Sequence, residues 1–195
     1  MAKLSDTKDV VLGSGDLFIV PVATEAMSSV KIGSDAFYTA IEKDSYQIGH
    51  IKGGAKLTYT SEWQQVKDDY KVICKQFITD EDATITGGIL AWNIDVLKSL
   101  SATSRVTETE KHTILKIGGL ANADNKPYYI HFRHKRDDGR YIRVSIIGIN
   151  KKGFEIAFSG EDPTVIDPEF SAQGNTEDGG TLVYWAEEKA ASNPS

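Results

Sequence analysis

The sequence has little cysteine and a deficit of basic charge. Cys74 is the only cysteine in 195 residues, which excludes an internal disulfide and a cysteine-based zinc cluster. Acidic residues outnumber basic ones by 28 to 22, and the formal net charge of −6 argues against a protein that grips nucleic acid through its phosphates. No stretch approaches the roughly 18 apolar residues of a membrane helix, and the start lacks a signal-peptide core.

These absences bound the class of protein. We expect one soluble domain over 1–195 with no membrane span, made in the cytoplasm. Its N-terminal arm would be 1–9, and its C-terminal tail, 187–195, is polar and expected to fray.

Two long runs of alternating apolar and polar residues lie between 46 and 93, separated by a charged break at 67–69. The apolar residues have odd numbers in both runs: Leu57, Tyr59, Trp63, Ile73, Phe77, Ala83 and Ile85. The predicted polar face has even numbers: Lys56, Thr58, Thr60, Glu62, Gln64, Gln76, Asp80, Asp82, Thr84 and Thr86. This period predicts two strands with one face on a core. Because each run far exceeds a common strand of about 5 to 6 residues, we predict a hairpin whose edges pair with neighbouring subunits.

Shorter signals surround this hairpin. A helix is predicted over 93–100, which has asparagine at its start and apolar residues at helical spacing, whereas 24–43 is predicted as a connection. Further strands are predicted over 10–22, 111–117, 127–133, 141–149, 154–159 and 180–186, with a surface excursion over 162–171. The predicted fold class is mainly β, an antiparallel β-sandwich or barrel with one short flanking α-helix and long amphipathic hairpins.

No spacing in the sequence assembles a catalytic, cofactor or metal site. His131 and His134 lie at an odd offset in one predicted strand, so they point to opposite faces, and we expect them at the surface or an interface. Asp80, Glu81 and Asp82 alternate between faces, without the central glycine of a calcium loop. No phosphate loop, dinucleotide loop or hydrolase elbow occurs. We therefore expect that the protein is not an enzyme and needs no cofactor.

Two strings in the hairpin region carry a family resemblance. They are IGHIKGGAKLTYTSEW at 48–63 and KQFITDEDATITGGILAWNIDVLKSL at 75–100, and further similarity covers 143–147 and 154–159. In order and spacing these segments resemble the major tail tube proteins of tailed bacteriophages, a superfamily that includes the tubes of tail-like bacteriocins.

The resemblance implies a structural function. Members of that family form hexameric rings in which each subunit contributes two hairpins to a continuous inner β-barrel, and the rings stack into a tube that conducts DNA. By this likeness the chain would be a virion tail protein, assembled in the bacterial host cytoplasm. Its partners would be further copies of itself, the tape measure protein, the tail terminator and baseplate or tail-tip proteins. DNA would pass transiently and without sequence recognition.

The likeness also assigns roles to two sets of residues. The predicted polar face would line the lumen, where a net acidic wall avoids holding phosphates. The turn between the two long strands, the N-terminal arm (1–9) and the C-terminal tail (187–195) would mediate ring stacking. The turn consists of Lys67, Asp68, Asp69, Tyr70 and Lys71.

The alternative is a small antiparallel barrel or sandwich that binds a ligand or a partner protein. In that case the amphipathic hairpin closes onto its own sheet. Size in solution separates the two hypotheses, because a tube protein forms rings or polymers and a binding module stays a compact monomer or dimer.

Overall fold

The computed structural model describes residues 15–70, 73–90, 93–156 and 165–189. Strand accounts for 49% of the structure, so the predicted mainly-β, antiparallel fold is confirmed. The strands of the described ranges are β1 (Asp16–Pro21), β2 (Gln47–Lys67), β3 (Ile73–Ile89), β4 (Arg105–Glu108), β5 (Thr113–Lys116), β6 (Tyr128–Lys135), β7 (Tyr141–Asn150), β8 (Glu169–Ala172) and β9 (Tyr184–Glu187). The α-helices are α1 (Asp35–Ile41) and α2 (Ile94–Ser99), and no helix in these ranges is long and apolar enough to cross a membrane.

The main sheet returns to its starting strand. Its order is β6-β1-β2-β3-β8-β7-β9, and β6 also pairs with β7, so the six strands from β6 to β7 form a closed ladder. β8 and β9 share one edge of β7, because β8 pairs with 148–150 and β9 pairs with 142–145. Every pairing is antiparallel. β4 and β5 form a separate two-stranded sheet.

We call the described chain outside the projecting part of the β2–β3 hairpin the body, and two apolar clusters form its core. The first lies on one side of the strands with α2, and its buried members include Leu17, Ile85, Leu100, Ile130, Ile146 and Phe170. The second lies on the other side with α1, and includes Phe18, Val20, Phe37, Ile41 and Tyr129. Successive residues of a strand point to opposite faces, so β1 contributes to both clusters. This explains the unbroken apolar run in β1.

Both helices begin at a capping side chain. The Asn93 side-chain oxygen accepts a hydrogen bond from the Val96 N–H at 2.9 Å, and the helix predicted over 93–100 is confirmed as α2. The Ser34 hydroxyl accepts from the Phe37 N–H at 3.2 Å and starts α1. The prediction of a connection over 24–43 was therefore wrong at α1, which buries Phe37 and Ile41 against the sheet.

Most predicted strands correspond to observed ones, and three segments differ. β8 occupies part of the predicted surface excursion, because Phe170 is 1% exposed and fills the first cluster. β4 had not been predicted. Residues 154–156 form no strand, while 157–159 lie outside the described residues, as do 1–9 and 10–14.

The predicted C-terminal tail begins inside the sheet. Glu187 is the last residue of β9, and the Glu188 N–H donates to the Tyr141 carbonyl at 3.0 Å. Residues 190–195 lie outside the described part of the chain.

Candidate assembly interface

The β2–β3 hairpin extends beyond the strands that hold its base. β1 pairs with β2 at Gln47 and His50, and β8 pairs with β3 at 84–86. Farther out we define the arm as residues 59–67 and 73–83, which pair with each other. In the ranges that the structure describes, no other strand pairs with either outer edge of the arm. The arm therefore presents two rows of unpaired backbone donors and acceptors.

The arm contains two register shifts, one at Glu62/Trp63 and one at Val66/Lys67, and the first changes the alternation over 75–78. Glu62 is paired with Asp80, but the next residue, Trp63, is paired with Ile78, so Thr79 is an extra residue in β3. The Thr79 hydroxyl donates to the Glu62 carbonyl at 3.3 Å. Directly paired residues point to the same face. Beyond this bulge, therefore, the odd-numbered residues Phe77 and Lys75 of β3 lie on the same face as the even-numbered residues Gln64 and Val66 of β2.

The shift corrects the predicted polar face at one position. Gln76 is paired with Gln65 and lies on the opposite face, while Phe77 is paired with Gln64 and lies on the polar side. The other predicted polar-face residues do share a face, which we call the acidic face: Lys56, Thr58, Thr60, Glu62, Gln64, Asp80, Asp82, Thr84 and Thr86. Whether this face lines a lumen stays a prediction.

The acidic face has an uneven distribution of charge. Glu62 and Asp80 are directly opposite each other, and Asp82 follows on the same face. Lys56 is the basic residue near the base, and beyond the bulge Lys75 joins this face, with its Nζ 5.9 Å from the centre of the Phe77 ring. Lys75 was absent from the predicted set because odd-numbered residues had been assigned to the other side. The net sign of the charged groups remains negative.

The opposite side of the arm, which we call the aromatic face, leaves large rings in water. Tyr59 is 52% exposed and Trp63 is 58% exposed. The Tyr59 hydroxyl donates to the Glu81 carboxylate, and the Trp63 indole N–H donates to the Ser61 hydroxyl at 3.1 Å. Since the polar atoms of both rings are already bonded within the arm, the ring surfaces are what remains for a partner.

The turn at the end of the arm is exposed. Lys67 is the last residue of β2, and β3 begins at 73. Lys67, Asp68, Asp69 and Tyr70 are all exposed, and Tyr70 is 89% exposed. Lys71 lies outside the described residues. The role of these residues in ring stacking remains a prediction.

The body contains an ionic network centred on Glu42, the residue that directly follows α1. One carboxylate oxygen of Glu42 lies 3.2 Å from His131 Nε2 and also accepts from Arg143, while the other accepts from Arg133 at 2.9 Å. Burial would raise the pKa of Glu42, but the hydrogen bonds from His131, Arg143 and Arg133 outweigh it and lower the pKa to about 2. Glu42 is therefore a carboxylate that ties α1 to β6 and β7.

Within the same network, hydrogen bonds link a serine to a histidine and the histidine to a carboxylate. His131 Nδ1 lies 2.8 Å from the Ser145 hydroxyl, and its Nε2 faces Glu42. Such an order occurs in hydrolases, but here Ser145 and His131 are both fully buried, so no substrate reaches the hydroxyl. Burial lowers the pKa of His131, despite the opposing effect of Glu42. A neutral His131 can accept a hydrogen bond from Ser145 and donate one to Glu42. The histidine thus links β7 to the residue that follows α1.

The prediction that both histidines are at a surface or interface was wrong. His131 is 0% exposed and His134 is 4% exposed, because β6 is covered on both faces. His131 packs beside Phe37 and Tyr38 of α1, with ring centres 6.0 and 5.7 Å away. The residues that cover His131 belong to α1, which is distant in the sequence. The sequence of β6 alone therefore does not show that its histidines are buried.

Neither a metal centre nor a matching protein assigns a function. Among the described residues, no group of three His, Cys, Asp or Glu side chains could hold a metal ion. No protein-family model matches the chain, and no curated protein matches it. The arm is thus the feature of this molecule from which function can be inferred.

Proposed function

We propose that this chain is a self-assembling structural protein of the tail tube type. Its copies form hexameric rings, and the rings stack into the tube of a phage tail or a tail-like bacteriocin. The observation that carries the proposal is the arm, which has unpaired outer edges and exposed aromatic rings. The similarity of the segments 48–63 and 75–100 to tail tube proteins supplies the type of assembly.

The arm is incomplete as a free element in water. A two-stranded hairpin without a packed face is marginally stable, and natural proteins usually shield long sheet edges. This arm exposes both edges together with Tyr59, Trp63 and Ile78. Pairing with other copies would satisfy both edges, and repeating the same contact around a rotation axis would close a ring.

The acidic face suits the wall of a DNA conduit. Glu62, Asp80 and Asp82 repel phosphates, and the threonine hydroxyls near them are polar without being basic. Lys56 and Lys75 partly offset the carboxylates, so the repulsion is weak at physiological salt, where the Debye length is about 8 Å. DNA would then pass quickly and independently of base sequence.

The proposed partners follow from the tube. Other copies bind along the arm, and a tape measure protein, a terminator and a baseplate or tail-tip protein would complete the tail. Tail tube proteins contribute two hairpins per subunit, while one hairpin of the described chain, β2–β3, extends beyond the body. The second hairpin remains a prediction.

Solution size tests the proposal. We expect sedimentation velocity and negative-stain microscopy to show rings and tubes that increase with protein concentration. The double variant Tyr59→Ser, Trp63→Ser should keep its circular dichroism spectrum and lose assembly. The control Leu120→Ser removes a side chain that is 92% exposed and far from the arm in sequence, and it should assemble normally. A compact monomer or dimer of the unmodified protein at every concentration would favour the ligand-binding or partner-binding module instead.

A further inference from the structure

β1 begins at Asp16, but the strands on both sides of it extend farther. Asp16 is opposite His50 of β2 on one side and Arg133 of β6 on the other. β2 then runs on to Lys67, and in the described ranges no strand pairs with this continuation of its β1-facing edge. Since neighbouring strands lie about 4.8 Å apart, β2 and β6 are about 10 Å apart across β1, which leaves room for one strand beyond Asp16.

An apolar groove of about 240 Å³ lies at this place. Its apolar lining comes from β2, β3, β6, β7 and β9: Ala55, Leu57, Ile85, Phe132, Val144 and Trp185. Ile85 and Val144 are also members of the first cluster, so the groove continues that core toward the surface. Trp185 lies directly opposite Val144 and is nevertheless 57% exposed. The described chain thus leaves an apolar site uncovered.

Gly15 brings the start of β1 directly against the lining of the groove. A Cβ placed on Gly15 would lie 2.7 Å from the Phe132 ring and would also collide with the Arg133 carbonyl oxygen. Only glycine allows the backbone to approach β6 so closely. The chain therefore enters β1 beside the groove.

The sequence before Gly15 contains a matching apolar run. Val10, Val11 and Leu12 are three successive aliphatic residues, whereas 1–9 contains two lysines and two aspartates. At the other end of the chain, 190–195 has no large apolar side chain. Of the two chain ends that lie outside the described residues, the N-terminal one therefore suits an apolar groove.

We propose that residues 10–14 dock in this groove as an extension of β1 within the same copy, and that the side chain of Val11 enters it. Leu17 of β1 is buried in the first cluster, so alternation assigns positions 15, 13 and 11 to the same side. Positions 15 and 13 are glycines, which makes Val11 the first of the three with a side chain. Counting back from the pair of Asp16 and His50 brings Val11 level with Ala55, just past the bulge that 53–54 form against β3.

The same copy is the favoured source of this strand. Four residues of extended chain span about 13 Å, so Val11 reaches the groove from Gly15. Its covalent attachment also gives it a higher effective concentration at the groove than a second copy has. The docked segment meets β2 between 51 and 57, whereas the arm begins at 59, so docking leaves the arm free. Docking is therefore independent of ring formation, and a chain that stays a monomer closes its groove in the same way.

Disulfide formation tests the docking. In a Cys74→Ser background, which removes the only cysteine, Val11→Cys is combined with Ala55→Cys. Under mild oxidation this pair should form a disulfide within one chain, seen as a monomer on a non-reducing gel and as a linked peptide by mass spectrometry. Leu12→Cys with Ala55→Cys is the matched control. Because position 12 faces away from the groove, the control pair should oxidise at least about tenfold more slowly.

Oxidation of both pairs at equal rates would overturn the docked strand, as would the absence of a disulfide from the first pair. Covalent dimers in place of monomers would show that the groove receives the segment of a second copy, and would overturn docking within one chain. Microscopy of the same samples follows ring formation separately, so each of these results leaves the proposed function standing.

Thermal unfolding of the full chain provides a measurement without added cysteines. Val11→Asp places a carboxylate against the apolar lining and should lower the midpoint of unfolding by about 4 °C or more. Val11→Ile keeps an aliphatic side chain and should stay within about 2 °C of the unmodified protein. Ser5→Asp adds the same charge outside 10–14 and should leave the midpoint unchanged. An unchanged midpoint for Val11→Asp would overturn the docking.

Discussion

The body buries its large apolar side chains and pairs its buried carboxylate, whereas the arm leaves its rings and its strand edges exposed. In the body, Phe170 and Ile146 are buried, and the Glu42 carboxylate is bonded to two arginines and a histidine. In the arm, aromatic rings are exposed and both outer edges lack strand partners in the described chain. The two clusters of the body are buried within one copy, whereas the rings of the arm are not. Folding and assembly should therefore respond to different mutations.

Two arginines connect the elements of the body, although the buried Nε of Arg133 has no hydrogen-bond partner among the described residues. The Arg143 guanidinium lies 4.9 Å from the Tyr38 ring centre and 5.0 Å from that of Tyr141. Arg133 lies 5.2 Å from the ring centres of both Phe18 and Tyr141. Ion pairs and cation–π contacts thus hold the same two side chains.

The largest difference is expected from removing one phenylalanine ring in each region. Phe170→Ala should lower the free energy of unfolding by about 3–5 kcal/mol, because it leaves a cavity in the first cluster. Phe77→Ala in the arm should lower it by less than about 1 kcal/mol, since Phe77 is already 37% exposed. Urea unfolding of both variants measures the difference. Equal losses would mean that the arm is part of the folding core.

Acid should weaken the body through Glu42. The pKa of Glu42 in the folded protein, about 2, lies below the ordinary glutamate value of 4.5, so the stabilisation by Glu42 is present above about pH 4.5 and is lost as the pH falls toward 2. Burial also lowers the pKa of His131, so a further loss of stability begins as the pH falls below the ordinary histidine value of 6.5. The difference between the ordinary pKa of 4.5 and the folded-state pKa of about 2 corresponds to on the order of 3 kcal/mol of unfolding free energy.

Glu42→Gln provides the measurement. It should lower stability at pH 7 and flatten the decline in unfolding free energy between pH 5 and pH 2. Glu110→Gln, at an exposed position, should leave the pH profile unchanged. If Glu42→Gln retains the full acid sensitivity, the network does not control the stability of the body.

Two proline variants separate folding from assembly at finer scale. Thr84 lies in β3 between β2 and β8, so Thr84→Pro breaks an interior ladder and should cost about 1–3 kcal/mol of unfolding free energy. Thr60 pairs with β3 alone, so Thr60→Pro should cost less than Thr84→Pro while it abolishes rings. Circular dichroism and microscopy read the two effects separately. Normal tubes from Thr60→Pro would contradict the hypothesis that assembly depends on the hairpin.

The sequence predicts much of the arm and less of the body. Alternation identified β2 and β3 because a strand period is local, and the capping residue Asn93 located α2 for the same reason. The bulge at Thr79 could not be predicted, since an extra residue is defined by the pairing of two strands rather than by either one. It moved Gln76 to the other face and brought Phe77 to the acidic side.

The Glu42 network shows the second limit. Glu42 and His131 are 89 positions apart in sequence, and Glu42 and Arg143 are 101 apart, so no local spacing relates them. The prediction of surface histidines failed for this reason. The apolar residues of α1 were a usable signal, because Phe37 and Ile41 are four residues apart behind a Ser34 cap.

The smallest effect on folding, and the most specific for function, is expected from reversing charge on the acidic face. Glu62→Lys together with Asp82→Lys should change the unfolding free energy by no more than about 0.5 kcal/mol, because both side chains are exposed. Replacing Glu62 even removes a like-charge contact with Asp80 directly opposite, which is worth a few tenths of a kcal/mol. Rings should therefore still form.

If the acidic face lines the lumen, as proposed, the variant wall attracts phosphates, so tubes of the variant should retain DNA at low salt and release it as salt rises. Co-sedimentation of DNA with preformed tubes measures retention, and microscopy measures assembly independently. Glu108→Lys with Glu110→Lys makes the same change of charge on exposed residues outside the arm and should retain no DNA inside the tube. Equal retention by both double variants would place the acidic face away from the lumen, and a marked loss of body stability in the first would show that this face is packed rather than open to water.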